Sequence, residues 1–212
     1  MKLQKFSFIT ILVLCALQVS QPAFAASAVA CSSTPENVPE TVNMQIVRDT
    51  WLKWVNDARL KNGLKPYVIN TQLNRTAVIW SESAKKKGKI DHKRPGQKAY
   101  YDYKIITSWF AKLGLQFKNV HGSTFVENVN WDYYKCGSQD CTNTLTKAIR
   151  HGFDFFMSEK GKKYRPHYES IMNTYYKEIG IGIAIDKTKN KYYLTVHYGT
   201  AITSKPLPVC GA

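Results

Sequence analysis

Glu178-Ile179-Gly180-Ile181-Gly182-Ile183-Ala184-Ile185-Asp186 is followed by Lys187-Thr188-Lys189-Asn190 and then by Lys191-Tyr192-Tyr193-Leu194-Thr195-Val196-His197-Tyr198-Gly199. The first run alternates isoleucine with glycine or alanine. The last is aromatic and β-branched. Both read as strands, and the polar tetrapeptide between them reads as a hairpin turn. Upstream the period changes to that of helices. Over residues 45–62, Val47, Trp51, Val55 and Ala58 recur at three- to four-residue spacing, with Gly63 past the end and Pro66 closing the exit. Residues 72–87 repeat the pattern with Leu73, Ala77, Trp80 and Ala84 before Gly88. Residues 101–113 carry Ile105, Ile106, Trp109, Phe110 and Leu113, and residues 142–157 carry Leu145, Ile149, Phe153 and Phe156. Between them, residues 117–131 hold a short strand containing Phe125, Val126 and Val129. Helices first and an antiparallel pair last predict an α+β fold rather than a doubly wound parallel sheet.

Outward from this block, the N-terminus reads as an export signal. Lys2 and Lys5 precede an apolar run from Phe6 to Val19, and Ala23-Phe24-Ala25 has the form of a cleavage site. The run is short for a membrane span, so no transmembrane segment is expected after cleavage. The expected organisation is a signal peptide at 1–25, an extended arm at 26–44, one domain at 45–200 and a tail at 201–212. The destination is the cell exterior, or the periplasm of a Gram-negative cell. Lipid attachment through Cys31 is the alternative. With 44% hydrophobic residues in 212, the chain has material for a core, which excludes a mainly disordered protein. Once the leader and Cys15 are gone, Cys31, Cys136, Cys141 and Cys210 remain, and four cysteines allow three pairings. Cys136–Cys141 as a local clip and Cys31–Cys210 as a staple between the tails are favoured. A zinc site lacks the spacing it needs.

The chain is strongly basic, with 30 Lys+Arg against 15 Asp+Glu and a formal net charge of +15. Lys85, Lys86, Lys87, Lys89, Lys93 and Arg94 cluster around His92, and Lys160, Lys162, Lys163 and Arg165 precede His167. As a positive rim they would attract an anionic surface, a cell-wall polymer or a lipid-like ligand, with no sequence-specific nucleic acid partner. The plainer reading is a set of solvated lysine faces. No metalloprotease, serine-hydrolase, phosphate-loop or dinucleotide motif is present. The candidates for chemistry are isolated: His92, Glu127, Glu159 and His167. Imidazoles and carboxylates suit a divalent ion, the carboxylates orienting the rings or activating a bound water. His121, His151 and His197 are expected to be structural or superficial, and Trp51, Trp80 and Trp109 to lie in the core. Asn74-Arg75-Thr76 is a glycosylation sequon.

Six motifs come in one order: Trp51-x-x-x-Val55-Asn56-x-x-Arg59, Asp91-His92, Glu127-Asn128, Glu159 three residues after Phe156, His167-Tyr168, and the Ile/Gly strand. That order resembles the CAP superfamily, which unites cysteine-rich secretory, antigen 5 and pathogenesis-related 1 proteins. The resemblance covers about residues 47–200. It implies a three-layer α-β-α sandwich with a small antiparallel sheet, and a wide cleft holding His92, Glu127, Glu159 and His167. It also implies a divalent metal, often zinc, on His92 and His167. Departures are Val126 and Pro166 where the family has glycine, Phe156 where it has tryptophan, and the missing C-terminal signature. The expected function is a monomeric, non-enzymatic secreted binding module. The alternative is a hydrolase, peptidase or ribonuclease-like, with Glu127 and Glu159 in acid–base roles.

Overall fold

The computed structural model describes residues 41–204 apart from 121 and 123. The leader, most of the arm, His121, and the Cys31–Cys210 pairing lie outside the described residues. The described elements are α1 (Met44–Lys61), β1 (Val68–Ile69), α2 (Thr71–Lys87), α3 (Tyr103–Lys112), β2 (Leu115–Phe117), β3 (Phe125–Tyr133), α4 (Thr142–Met157), α5 (Pro166–Ile171), β4 (Glu178–Asp186), β5 (Lys191–Gly199) and β6 (Ala201–Ser204). The four long helices fall within two residues of the periodic runs that predict them. Their ends have local causes. Asn43, Asn70 and Asp102 accept backbone N–H bonds at the starts of α1, α2 and α3, and Gly88 ends α2 in the left-handed conformation.

The main sheet has the order β1-β4-β5-β3, with β1 parallel to β4 and the other pairs antiparallel. Strand alternation divides β4 between two layers. Ile179, Ile181, Ile183 and Ile185 enter a core with Val47, Trp51 and Val55 of α1, and with Leu145, Ile149 and Phe156 of α4. Gly180 and Gly182 face the opposite way. A Cβ built on Gly180 would lie 2.1 Å from the Leu73 carbonyl carbon, and one on Gly182 would lie 2.1 Å from Ala77 C and Val78 N. The missing side chains let the backbone of α2 lie directly on the sheet. The same run that reads as a strand therefore also sets the spacing of the α2 layer.

β1 is only two residues long and leaves much of the outer edge of β4 uncovered. Side chains from both helical layers serve that edge: Asn74 Oδ1 accepts the Ile181 N–H at 2.8 Å, and Arg48 Nε donates to the Ile181 carbonyl at 3.1 Å. Asn74 is thus inside helix α2 and engaged with the sheet through its Oδ1.

Several elements depart from the sequence expectations. β3 is nine residues long rather than a short strand, because it pairs along its whole length with β5 from Phe125↔Gly199 to Tyr133↔Lys191. Ala201–Ser204, expected in the tail, forms β6 and pairs with β2. Helix α5, six residues long, is too short to show a period. Cys136 and Cys141 form the expected local disulfide, just before α4.

Gly182→Ala is expected to destabilise the protein by about 3 kcal/mol, since stiff helix backbone blocks the new methyl. Gly137→Ala, with open space around it, should change stability by less than about 0.5 kcal/mol. Urea unfolding of both variants checks this, and equal midpoints would contradict the packing account.

Candidate functional site

β3 is the last strand of the main sheet, and its alternation points Glu127 and Asn128 to opposite faces. Each residue anchors one histidine. On the α2 side, His92 Nδ1 donates to Glu127 Oε1 at 2.8 Å. On the other side, Asn128 Nδ2 donates to the His167 carbonyl at 3.1 Å. The two rings therefore approach from different layers over the free edge of the sheet. They share a cleft of about 500 Å³, which Glu127 and Asn128 also line.

Glu127 is the most constrained side chain in the cleft, with 3% of its side chain exposed. Its Oε1 accepts from His92 and from Arg94 Nη1 at 3.0 Å. Its Oε2 accepts from Arg94 Nη2 at 2.6 Å and from His197 Nε2 at 2.6 Å. Burial by itself pushes the carboxyl pKa up. The charge of Arg94 and the bonds from His197, His92 and Arg94 outweigh it and hold Glu127 well below the usual carboxylate range. Arg94 is itself buried, its guanidinium 3.7 Å from the Trp80 ring centre and 4.6 Å from that of Trp109. It also donates to the His92 carbonyl at 3.1 Å, so it positions both partners of the His92–Glu127 bond.

His197 sits opposite Glu127 in the β3–β5 register and has no exposed side-chain surface. Burial lowers its pKa against the opposing pull of Glu127, which favours the neutral ring. A neutral ring has one N–H, and the carboxylate takes it at Nε2. Nδ1 then lies 3.0 Å from the Thr76 hydroxyl, whose single hydrogen is shared between this nitrogen and the Leu73 carbonyl, also 3.0 Å away.

Glu159 does for His167 what Glu127 does for His92, by another route. It follows the end of α4, and its Oε1 accepts from His167 Nδ1 at 2.7 Å. Its Oε2 accepts the backbone N–H groups of His167 and Tyr168, at 2.9 and 3.2 Å. It thereby caps the start of α5, which has no local side-chain cap. Burial raises its pKa, while the bonds from the His167 ring and the two backbone groups lower it more, so the carboxyl lies below its ordinary value. The His167 ring stacks on Phe156 at 4.6 Å and 9°.

Of the residues singled out from sequence, His92, Glu127 and His167 line the cleft, and Glu159 lies behind His167 rather than on the cleft wall. None of Lys85, Lys86, Lys87, Lys162, Lys163 and Arg165 lines it. Lys85 pairs with Glu82, Lys87 with Asp91, and Arg165 with Glu169. Arg94, which the sequence reading grouped with the surface lysines, is buried. Arg94 and His197, neither singled out for this role, hold Glu127 in place, His197 as the structural residue it was expected to be. Arg94 is hidden in a basic run, and a signal for His197 exists only once β5 is set in register beside β3.

The cleft wall is aromatic. Tyr100, Tyr101 and Tyr103 lead into α3, and Tyr164 stands on the other lip before α5. Burial pushes the Tyr101 phenol up to about 12, with the neighbouring phenols and Glu127 adding to the shift, so it remains a neutral donor at ordinary pH.

A three-layer sandwich with two carboxylate-tethered histidines across a sheet edge defines the class of protein. The family model of the CAP, cysteine-rich secretory protein family matches residues 52–198, and the chain belongs to that family. Among solved structures, an outer surface protein from Borrelia burgdorferi is similar with a TM-score of 0.55 at 13% identity, covering 77% of this chain and 99% of that one. The CAP domain of enterococcal PrgA is similar at 19% identity and TM-score 0.48, over 74% of this chain and 62% of that one. An extracellular SCP-domain protein of Bacillus anthracis is similar at 14% identity and TM-score 0.48, over 74% and 39%. No curated protein matches the sequence.

Arg94→Met removes the cation that compensates Glu127, and should cost about 3–5 kcal/mol at neutral pH. The folded pKa of Glu127 is depressed below 4.5. Its contribution is therefore complete above that value and is lost as pH falls through the folded pKa. The stability gap between parent and variant should narrow below about pH 4.5. Urea unfolding from neutral to acid pH checks this, and a gap independent of pH would refute it.

Proposed function

We propose that this CAP-family protein is an exported, non-enzymatic binding module whose cleft takes its ligand between His92 and His167, with a divalent cation such as zinc on the two rings. The supporting observation is that each histidine spends Nδ1 on its own carboxylate, His92 on Glu127 and His167 on Glu159. That arrangement fixes the tautomer with Nε2 left for a ligand and raises the basicity of the ring. The donor types fit zinc, whereas among the described residues no three His, Cys, Asp or Glu side chains form a metal cluster. Two protein ligands leave open positions, so such an ion would be held weakly and would grip an oxygen of the bound molecule as a Lewis acid. The basic runs outside the cleft would draw the protein toward anionic surfaces from a distance.

The same geometry weighs against the hydrolase reading. A general acid near neutral pH needs a raised carboxyl pKa. Glu127 and Glu159 are both lowered, and hydrogen bonds to histidine and other donors occupy their oxygens.

Calorimetric zinc titration tests the proposal. The oxidised parent should bind one ion, and His92→Ala and His167→Ala should each abolish binding. Glu159→Gln should weaken it by about 10- to 100-fold. Absence of binding in a folded parent would sink the metal part of the reading.

A further inference from the structure

The cleft contains a group of side chains that metal binding does not use. Tyr100, Tyr101 and Tyr103 are 50%, 50% and 54% exposed, and Tyr164 is 77% exposed. Rings this exposed add little to the core, yet three of them are ordered against one another. Tyr100 and Tyr101 meet edge to face at 4.7 Å, Tyr101 and Tyr103 lie nearly parallel at 6.3 Å, and His92 contacts both Tyr100 and Tyr101 at 5.7 Å. The lining also holds the short polar side chains of Asn128, Asn173 and Ser170 and the exposed carboxylate of Glu169, which pairs with Arg165. Among the described residues, no lysine or arginine belongs to the lining.

We propose that this tyrosine-walled cleft binds a neutral oligosaccharide, its pyranose rings lying on the tyrosine faces and its hydroxyls bonding to the amides and the Glu169 carboxylate of the lining. The electropositive C–H face of a sugar ring complements the negative face of an aromatic ring, and the phenol O–H adds a donor at the rim. Carboxylate and amide oxygens accept from sugar hydroxyls. A phosphate or uronate polymer would find no lysine or arginine in the described lining to receive it, since Arg94 is engaged by Glu127 and Arg165 by Glu169. An acyl chain would take the Glu169 carboxylate out of water without adding a donor to it, at a cost. The cavity of about 500 Å³ falls within the range of about 300–1,000 Å³ typical of small-ligand sites. The basic runs outside the cleft are then an attraction for the surface that carries the glycan, not part of its recognition.

The proposal rests on the cleft being a ligand site but not on the metal, and the test separates the two. The oxidised protein is titrated in chelator with chitohexaose, cellohexaose and maltohexaose, and in parallel with polygalacturonate and oligothymidylate. At least one neutral hexasaccharide should bind, and the two polyanions should not compete with it for the cleft. Tyr101→Ala and Tyr164→Ala should each weaken binding by about tenfold, the loss of one aromatic contact, and Tyr101→Trp should retain it. Both positions are half exposed or more, so thermal midpoints should be unchanged. Zinc binding should survive in the tyrosine variants, since His92 and His167 are intact. Failure of all three hexasaccharides, binding unaffected by both alanine variants, or cleft binding of the polyanions alone would overturn the proposal. Loss of zinc binding with saccharide binding retained would overturn only the metal reading.

Discussion

Taking the Glu127 charge out of water costs several kcal/mol, and only a complete set of donors makes that tolerable. The rest of the site is arranged around this one buried carboxylate. Arg94 supplies two donors, His92 one and His197 one. These donors come from the loop after α2 and from β5, so the carboxylate ties β3 to both. Arg94 extends the tie further, because its guanidinium lies against Trp80 of α2 and Trp109 of α3. The loop that carries His92 and leads to the cleft tyrosines is therefore anchored from its middle, without secondary structure of its own.

The two halves of the cleft reach similar ends by different physics. On the His92 side, charge is compensated by charge in a dry environment. On the His167 side, a buried carboxylate without a lysine or arginine ion-pair partner among the described residues works through hydrogen bonds, two of them from backbone groups of α5. The first half resembles a closed ion-pair network and the second a helix cap that also holds a ring. They meet because β3 is the terminal strand. A further strand beside it would separate the two layers and leave no shared edge. Rings fixed in this way have little rotamer freedom left to lose.

The overall basicity and the cleft address different distances. The lysines act through long-range potential that salt screens, and several are engaged by nearby acidic residues. The cleft lining is neutral to acidic and aromatic. Charge counts along a chain cannot distinguish these two surfaces, because adjacent residues such as Lys93 and Arg94 point to opposite environments, one exposed and one buried.

Elements with a local cause were legible in the chain before any folding: four helices, the glycines past the ends of α1 and α2, the Ile/Gly strand, the hairpin and the short disulfide loop. His92, Glu127 and His167 were legible too, because their motif order carries the family resemblance. The remainder needed packing. Glu159 was identified from sequence, but its role as the cap of α5 arises across a loop, and α5 itself is too short to announce a period. His197 looks like any polar residue on a strand until pairing sets it opposite Glu127. Arg94 looks like part of a lysine run until two tryptophans from different helices close over it. β1 and β6 are short strands that exist because β4 and β2 offer them edges. In each case the deciding partner is distant in the chain, and a burial or a hydrogen bond that exists only after packing leaves no periodic trace in the sequence.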